Sequence, residues 1–129
     1  MLHEKDKTAV FWLYSINTAV LATHEIDSAY WHEWTLFWLP GGIQLFLVLN
    51  LLLLIVVLYE FRKVCLWEFG AKSFSYVLAG AGIFAYCIHT LFITLGHPEF
   101  RTLMSVALLF GTLVLSIAQV FVTRRCPSP

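Results

Sequence analysis

Charged residues are scarce in this chain of 129: Asp, Glu, Lys and Arg make up 12%, against about 25% in an average globular protein. A soluble domain of this size exposes too much surface to be covered by so few charges. Net charge is absent as well. Eight basic residues balance eight acidic ones, so no overall field recruits a charged partner, and a nucleic-acid binder is excluded. Three cysteines with no C-x-x-C spacing exclude a secreted disulfide scaffold and a thiolate metal knuckle. No internal repeat and no low-complexity tract interrupts the chain, and a disordered chain is excluded by its apolar content.

What remains is apolar: 60% of the residues are hydrophobic and 16% aromatic. A helix needs about 20 mainly apolar residues to cross the hydrocarbon core of a bilayer. Four stretches qualify, at about residues 8–30, 42–59, 73–95 and 100–122. The second is the purest, with only Gln44 and Asn50 breaking the run from Ile43 to Leu58. A membrane barrel is excluded because its strands alternate in short segments, whereas Leu49 to Leu58 is continuous. The breakers fall between the stretches. Leu39-Pro40-Gly41-Gly42 starts the second helix, Gly96 ends the third in the left-handed conformation, and Pro98 opens the fourth. The turn at Gly96-His97-Pro98-Glu99 is short enough to make the last two helices a tight antiparallel hairpin. The expected fold is all-α: one integral membrane domain, a four-helix transmembrane bundle.

Charge sets its orientation. Lys5 and Lys7 precede the first stretch, Arg62, Lys63 and Lys72 lie between the second and third, and Arg124 and Arg125 follow the fourth. With four crossings all of these lie on one side, leaving only Arg101 on the other. The positive-inside rule then places both termini in the cytoplasm. The expectation is a multi-pass protein of the plasma membrane. No cleaved signal peptide is expected, since HEIDSAYWHEW, not a small-residue cleavage site, follows the first apolar stretch.

The other side carries the chemistry. Between Thr23 and Trp38 there is no Lys or Arg, yet His24, Glu25, Asp27, His32 and Glu33 are all present. The last turn adds His97 and Glu99, and His89 sits in the third stretch about 9 Å below its end. Ionisable groups near hydrocarbon are costly unless paired or facing a cavity. One reading is a structural network, with His24 and Asp27 bonded across one turn, and Glu25 or His32 meeting His89 or Arg101. Another puts Tyr30 to Trp34 at the interface, with His32 and Glu33 in water. A third is a site. His24, Asp27, His89 and His97 could ligate a metal such as Zn²⁺ or Fe²⁺. His24-Glu25 is not an H-E-x-x-H pair, so no zinc-protease mechanism follows. Without a metal, Glu25 or Asp27 could act as the acid–base or proton-coupling group beside a histidine. His32, Gln44 and Tyr86 would then line a ligand pocket. Ala79-Gly80-Ala81-Gly82 suits close helix packing, and Asn50 suits an interhelical hydrogen bond.

The strings HEIDSAYWHEW (His24 to Trp34), LPGGIQ (Leu39 to Gln44) and GHPEF (Gly96 to Phe100) resemble those of a family of small, uncharacterised bacterial four-helix membrane proteins. That resemblance covers most of the chain and implies a bacterial inner-membrane protein. A looser likeness is to the HXXEE-motif membrane proteins, from which this chain departs in placing Glu25 and Asp27, not two adjacent acids, after His24. A fainter one, carried by Tyr86 to Thr90 (YCIHT), is to the four-helix sterol-isomerase and sigma-receptor-like fold. The expected function is a polar pocket in the outer leaflet that binds a divalent metal or a small amphipathic ligand. The alternatives are a proton-coupled transporter or carrier, and a structural or assembly subunit. The partners expected are the lipid bilayer and, for so small a bundle, a second copy in a homodimer.

Overall fold

The chain is all-α in a computed structural model that describes residues 2–97 and 101–129. Helix α1 spans Leu2–Tyr30, the single turn α2 spans Glu33–Leu36, α3 Ile43–Leu66, α4 Ala71–Thr94 and α5 Leu103–Arg125. Helices α3, α4 and α5 are each long and apolar enough to cross a membrane. The longest helix, α1, is not among them, because polar side chains run through it from Asn17 to Asp27.

The helices run past the apolar stretches read from the sequence. The second helix does not stop near Tyr59 but continues to Leu66, and the first begins at Leu2, not near Thr8. Hydropathy falls at these points, but backbone hydrogen bonding does not, since neither segment holds a Pro or Gly. Arg62 and Lys63 therefore belong to α3, and only residues 67–70 connect it to α4. That connection begins at Trp67, which takes the left-handed conformation (φ 50°). The Glu68 amide donates to the Lys63 carbonyl at 3.0 Å and the Trp67 amide to Val64 at 3.3 Å, the paired bonds that close a helix end. Gly96 (φ 95°) ends α4 in the same way, with His97 donating to Phe92 at 3.1 Å. Pro98, Glu99 and Phe100 lie outside the described residues. Helix α5 starts at Leu103, where the Thr102 side chain accepts from the Ser105 amide at 3.1 Å.

The packing is inside out relative to a water-soluble protein. Among the described residues the buried positions are more often polar or charged than apolar, while Leu, Ile, Val, Phe and Trp crowd the surface. Helix α1 shows this along its length. Tyr14, Asn17, His24 and Ser28 are buried on one face, and Trp12, Ile16, Ile26 and Tyr30 are exposed on the other. Such a surface is expected where lipid, not water, is the solvent.

Helix α5 packs most extensively, against α4 and α1, and the last two long helices form the close pair expected from their short turn. Their interior is a ladder of hydrogen bonds. Asn17 of α1 donates to Ser116 at 3.0 Å and to Gln119 at 3.1 Å, and accepts from Thr112 at 2.9 Å. Gln119 donates to the Ser75 carbonyl at 2.9 Å, and the Ser75 and Thr123 hydroxyls lie 2.7 Å apart. Every one of these side chains is fully buried. Gly82 makes the close approach possible: a Cβ there would overlap Ser116 Oγ and lie 2.7 Å from Thr112 Oγ1. The small-residue run thus serves helix packing at Gly82, whereas Gly80 meets nothing within 4 Å.

The basic residues gather at one end. Lys7 lies over the Trp67 ring at 6.0 Å, Lys72 donates to the Cys126 carbonyl at 2.7 Å, and Arg62 and Lys63 pair with Glu68 at 3.2 and 2.8 Å. Arg101, at the other end, donates to the Ile93 carbonyl.

Candidate ligand-binding cleft

Helix α5 packs closely on both α1 and α4, whereas α3 touches those two helices only lightly. Its inward residues recur at spacings of four and three: Phe46, Asn50, Leu53, Val57, Glu60 and Val64. That spacing keeps them on one face. Below α2 this face does not close against α1 and α4, and a cleft of about 800 Å³ remains between the three helices. Its walls are apolar, with Leu53 and Val57 facing Leu78, Ala81 and Ile88. Its lining reaches the surface at Val77 and Phe84, which are 57% and 65% exposed, so the cleft opens sideways onto the apolar exterior.

The end of the cleft remote from the basic residues is polar. His24 and His89, 1% and 2% exposed, meet there edge to face with ring centroids 4.5 Å apart. Glu33 completes the group: its Oε1 lies 3.3 Å from His89 Nε2, an ion-pair distance and not a well-aligned hydrogen bond. His89 Nδ1 lies 2.7 Å from the Ala85 carbonyl. A carbonyl only accepts, so Nδ1 carries a hydrogen, and the contact with Glu33 requires a further proton between Nε2 and the carboxylate. Burial alone would raise the Glu33 carboxyl; the interactions with His89 and the neighbouring Ser28 hydroxyl override it and hold Glu33 below the ordinary carboxylate range. Glu25 lines the cleft next to this group and faces Asn50 of α3.

Helix α2 supplies Glu33, and its position depends on a sharp reversal after α1. His32 takes the left-handed conformation (φ 56°), which histidine tolerates better than most residues. The turn lays α2 back across the helix ends. Trp34 then packs on Phe46 of α3, ring centroids 5.4 Å apart, and Phe37 packs on Phe92 of α4, also at 5.4 Å.

The chain belongs to a family of unknown function (DUF6713), whose profile matches residues 10–126. The matched region holds the whole cleft. Comparison with curated proteins and with solved structures finds no match.

The structure brings together His24, Glu25 and His89, three residues singled out in the sequence, and sends the others elsewhere. His89 pairs with Glu33, not with Glu25 or His32, and Glu33 is buried, not solvated. Asp27 is half-buried beside His24 and does not line the cleft; its Oδ2 has no hydrogen-bond partner among the described residues. His97 stacks edge-on against Phe92 at 5.6 Å, away from the His24–His89 contact. His32 is exposed and lies against Trp34 at 5.0 Å. Gln44 is exposed because two helical positions separate it from the inward Phe46, and Tyr86 points off the cleft face one position past Ala85. Among the described residues no group of three or more His, Cys, Asp or Glu side chains converges as a metal site. The metal reading of His24, Asp27, His89 and His97 therefore finds no support in the geometry. Asn50 bonds its own helix, donating to the Phe46 carbonyl at 3.1 Å, and lines the cleft.

Proposed function

We propose that this protein is a four-helix bundle of the bacterial inner membrane, both termini cytoplasmic, that binds a small amphipathic ligand from the bilayer. The head group of the ligand sits among His24, Glu25, Glu33 and His89, and its apolar chain lies along α3. The single observation that carries this reading is the cleft itself: about 800 Å³, apolar along its walls, polar at one end and open to the exterior surface. A volume of that size is typical of small-molecule sites. The gathering of basic residues at the opposite end supports the cytoplasmic placement of the termini. The inside-out packing supports α1 as a fourth crossing segment: its polar side chains are turned away from lipid.

Photolabelling tests the reading. A long-chain alkyl diazirine is expected to label Leu53, Val57 and Ala81 ahead of the equally apolar outer residues of α3 and α5. Labelling spread evenly over those outer faces would remove the cleft from consideration.

The proton held between His89 and Glu33 favours a second use of the same site, as a proton-coupled carrier. In that reading Glu25 or Glu33 is the coupling group, and uptake into liposomes responds to pH between about 5 and 8.

A further inference from the structure

The cleft has a second polar end. Glu60 lines it, lies on the inward stripe of α3 ten residues beyond Asn50, and is only 4% exposed. Its one hydrogen bond among the described residues comes from Tyr14 of α1, whose hydroxyl donates to Glu60 Oε2 at 3.0 Å. Among the described residues no lysine or arginine lines the cleft at either end. Tyr14 is fully buried one turn below Thr18, the α1 residue nearest this end that lines the cleft, so Glu60 forms the floor and Tyr14 holds it from behind. A helix rises about 1.5 Å per residue, which puts Glu60 roughly 15 Å along α3 from Asn50 and the Glu25 that faces it. A buried carboxylate normally has its acceptor capacity filled. Here the one hydroxyl reaches Oε2, and Glu60 lines the cavity.

We propose that Glu60, held in place by Tyr14, forms a second ligand subsite, which takes the hydrogen-bond-donating far end of a straight-chain molecule whose other end sits beside Glu25. This rests on the cleft being a ligand site, and it adds that the ligand carries a donor, a hydroxyl or an amine, at both ends of a chain about 15 Å long. Simple fatty acids and phospholipids lack the second donor, and at the Glu60 end their anionic groups would meet a carboxylate. A plain apolar tail would leave the Glu60 carboxylate desolvated, and so binds more weakly.

Calorimetric titration of the detergent-solubilised full chain decides it. The probes are terminal alkanediols and the matching mono-alcohols, from octyl to hexadecyl. The ratio of diol to mono-alcohol affinity cancels the difference made by chain length alone. In the wild type that ratio is expected to peak near dodecanediol, and at that length to be about tenfold higher than in Glu60→Leu, the worth of one hydrogen bond to a charged group. Tyr14 keeps a contact with the Val57 carbonyl at 3.4 Å in that variant. A ratio that is flat across the series, or equal in wild type and Glu60→Leu, overturns the subsite and leaves the cleft standing. If neither diols nor mono-alcohols bind at any length, the cleft reading fails and the subsite with it.

Discussion

Two glycines on α4 sit two residues apart and should respond oppositely to the same change. Replacing Gly82 by Ala places a methyl group against Ser116 Oγ and 2.7 Å from Thr112 Oγ1. Both atoms are fully buried and both hold Asn17, at 3.0 and 2.9 Å. Helices α4 and α5 must separate, or the two hydroxyls must rotate and release Asn17. An interhelical side-chain hydrogen bond in a membrane contributes about 0.6 kcal/mol and at most about 1.7, so losing two costs about 1–3 kcal/mol. Overpacking adds about 1–3 kcal/mol. The expected destabilisation is about 2–6 kcal/mol. Gly80→Ala adds its methyl group where nothing lies within 4 Å, so it is expected to be neutral or to gain up to about 1 kcal/mol from helix propensity. The assay is equilibrium unfolding in mixed micelles, followed by circular dichroism. Ser116→Gly in the Gly82→Ala background removes the overlapping atom and should recover the overpacking part but not the hydrogen bonds. Equal effects of Gly80→Ala and Gly82→Ala, or no recovery in the double variant, would refute the packing argument.

Asn17→Ala should cost about 2 kcal/mol in the same unfolding assay, because three interhelical bonds are lost; Asn50→Ala, whose bond to the Phe46 carbonyl stays within its own helix, should cost less than about 1 kcal/mol. Glu33→Gln tests the ion pair through pH. The folded protein holds Glu33 below its ordinary value of 4.5, so the unfolded chain binds the proton more readily and the contribution is complete above that value and lost as pH falls through the folded one. The stability gap between wild type and Glu33→Gln should therefore close on acidification, and a gap constant from pH about 7 to about 3 would contradict the pairing. Thr102→Ala removes the side chain that caps α5 and should lower stability by about 1 kcal/mol, whereas an unchanged unfolding midpoint would show that the cap is idle.

The long apolar stretches were legible because hydropathy over about 20 residues is a strong signal, and Gly96 was legible as a stop because only its conformational freedom closes α4 so cheaply. Trp67 and His32 were not. Both reverse the chain in a left-handed conformation that side-chain-bearing residues seldom adopt without support, so the tertiary contacts of Trp34 and Phe37 decide the turn after α1. That turn is why Glu33 read as solvated and proves buried. Glu60 was hidden for another reason. It lies just past the purely apolar run, where a change to polar composition looks like a loop, yet the helix continues for six residues to Leu66. The polar interior carried a signal that hydropathy obscures. Thr112, Ser116, Gln119 and Thr123 recur at spacings of four, three and four, one stripe on a helix whose remaining faces are apolar. The meeting of His24 with His89 was readable from depth alone, since each sits less than two turns below the end of its helix on the same side.

The central claim is that the cleft between α1, α3 and α4 holds one amphipathic molecule. Native mass spectrometry of the protein released from gentle detergent tests it most directly, with Ala81→Trp as the variant, because Ala81 lines the cleft and its side chain is exposed. A single retained small molecule per chain is expected in the wild type and its loss in Ala81→Trp. Equal retention by both proteins, or a bare wild-type chain under conditions that preserve annular lipid, would contradict the claim.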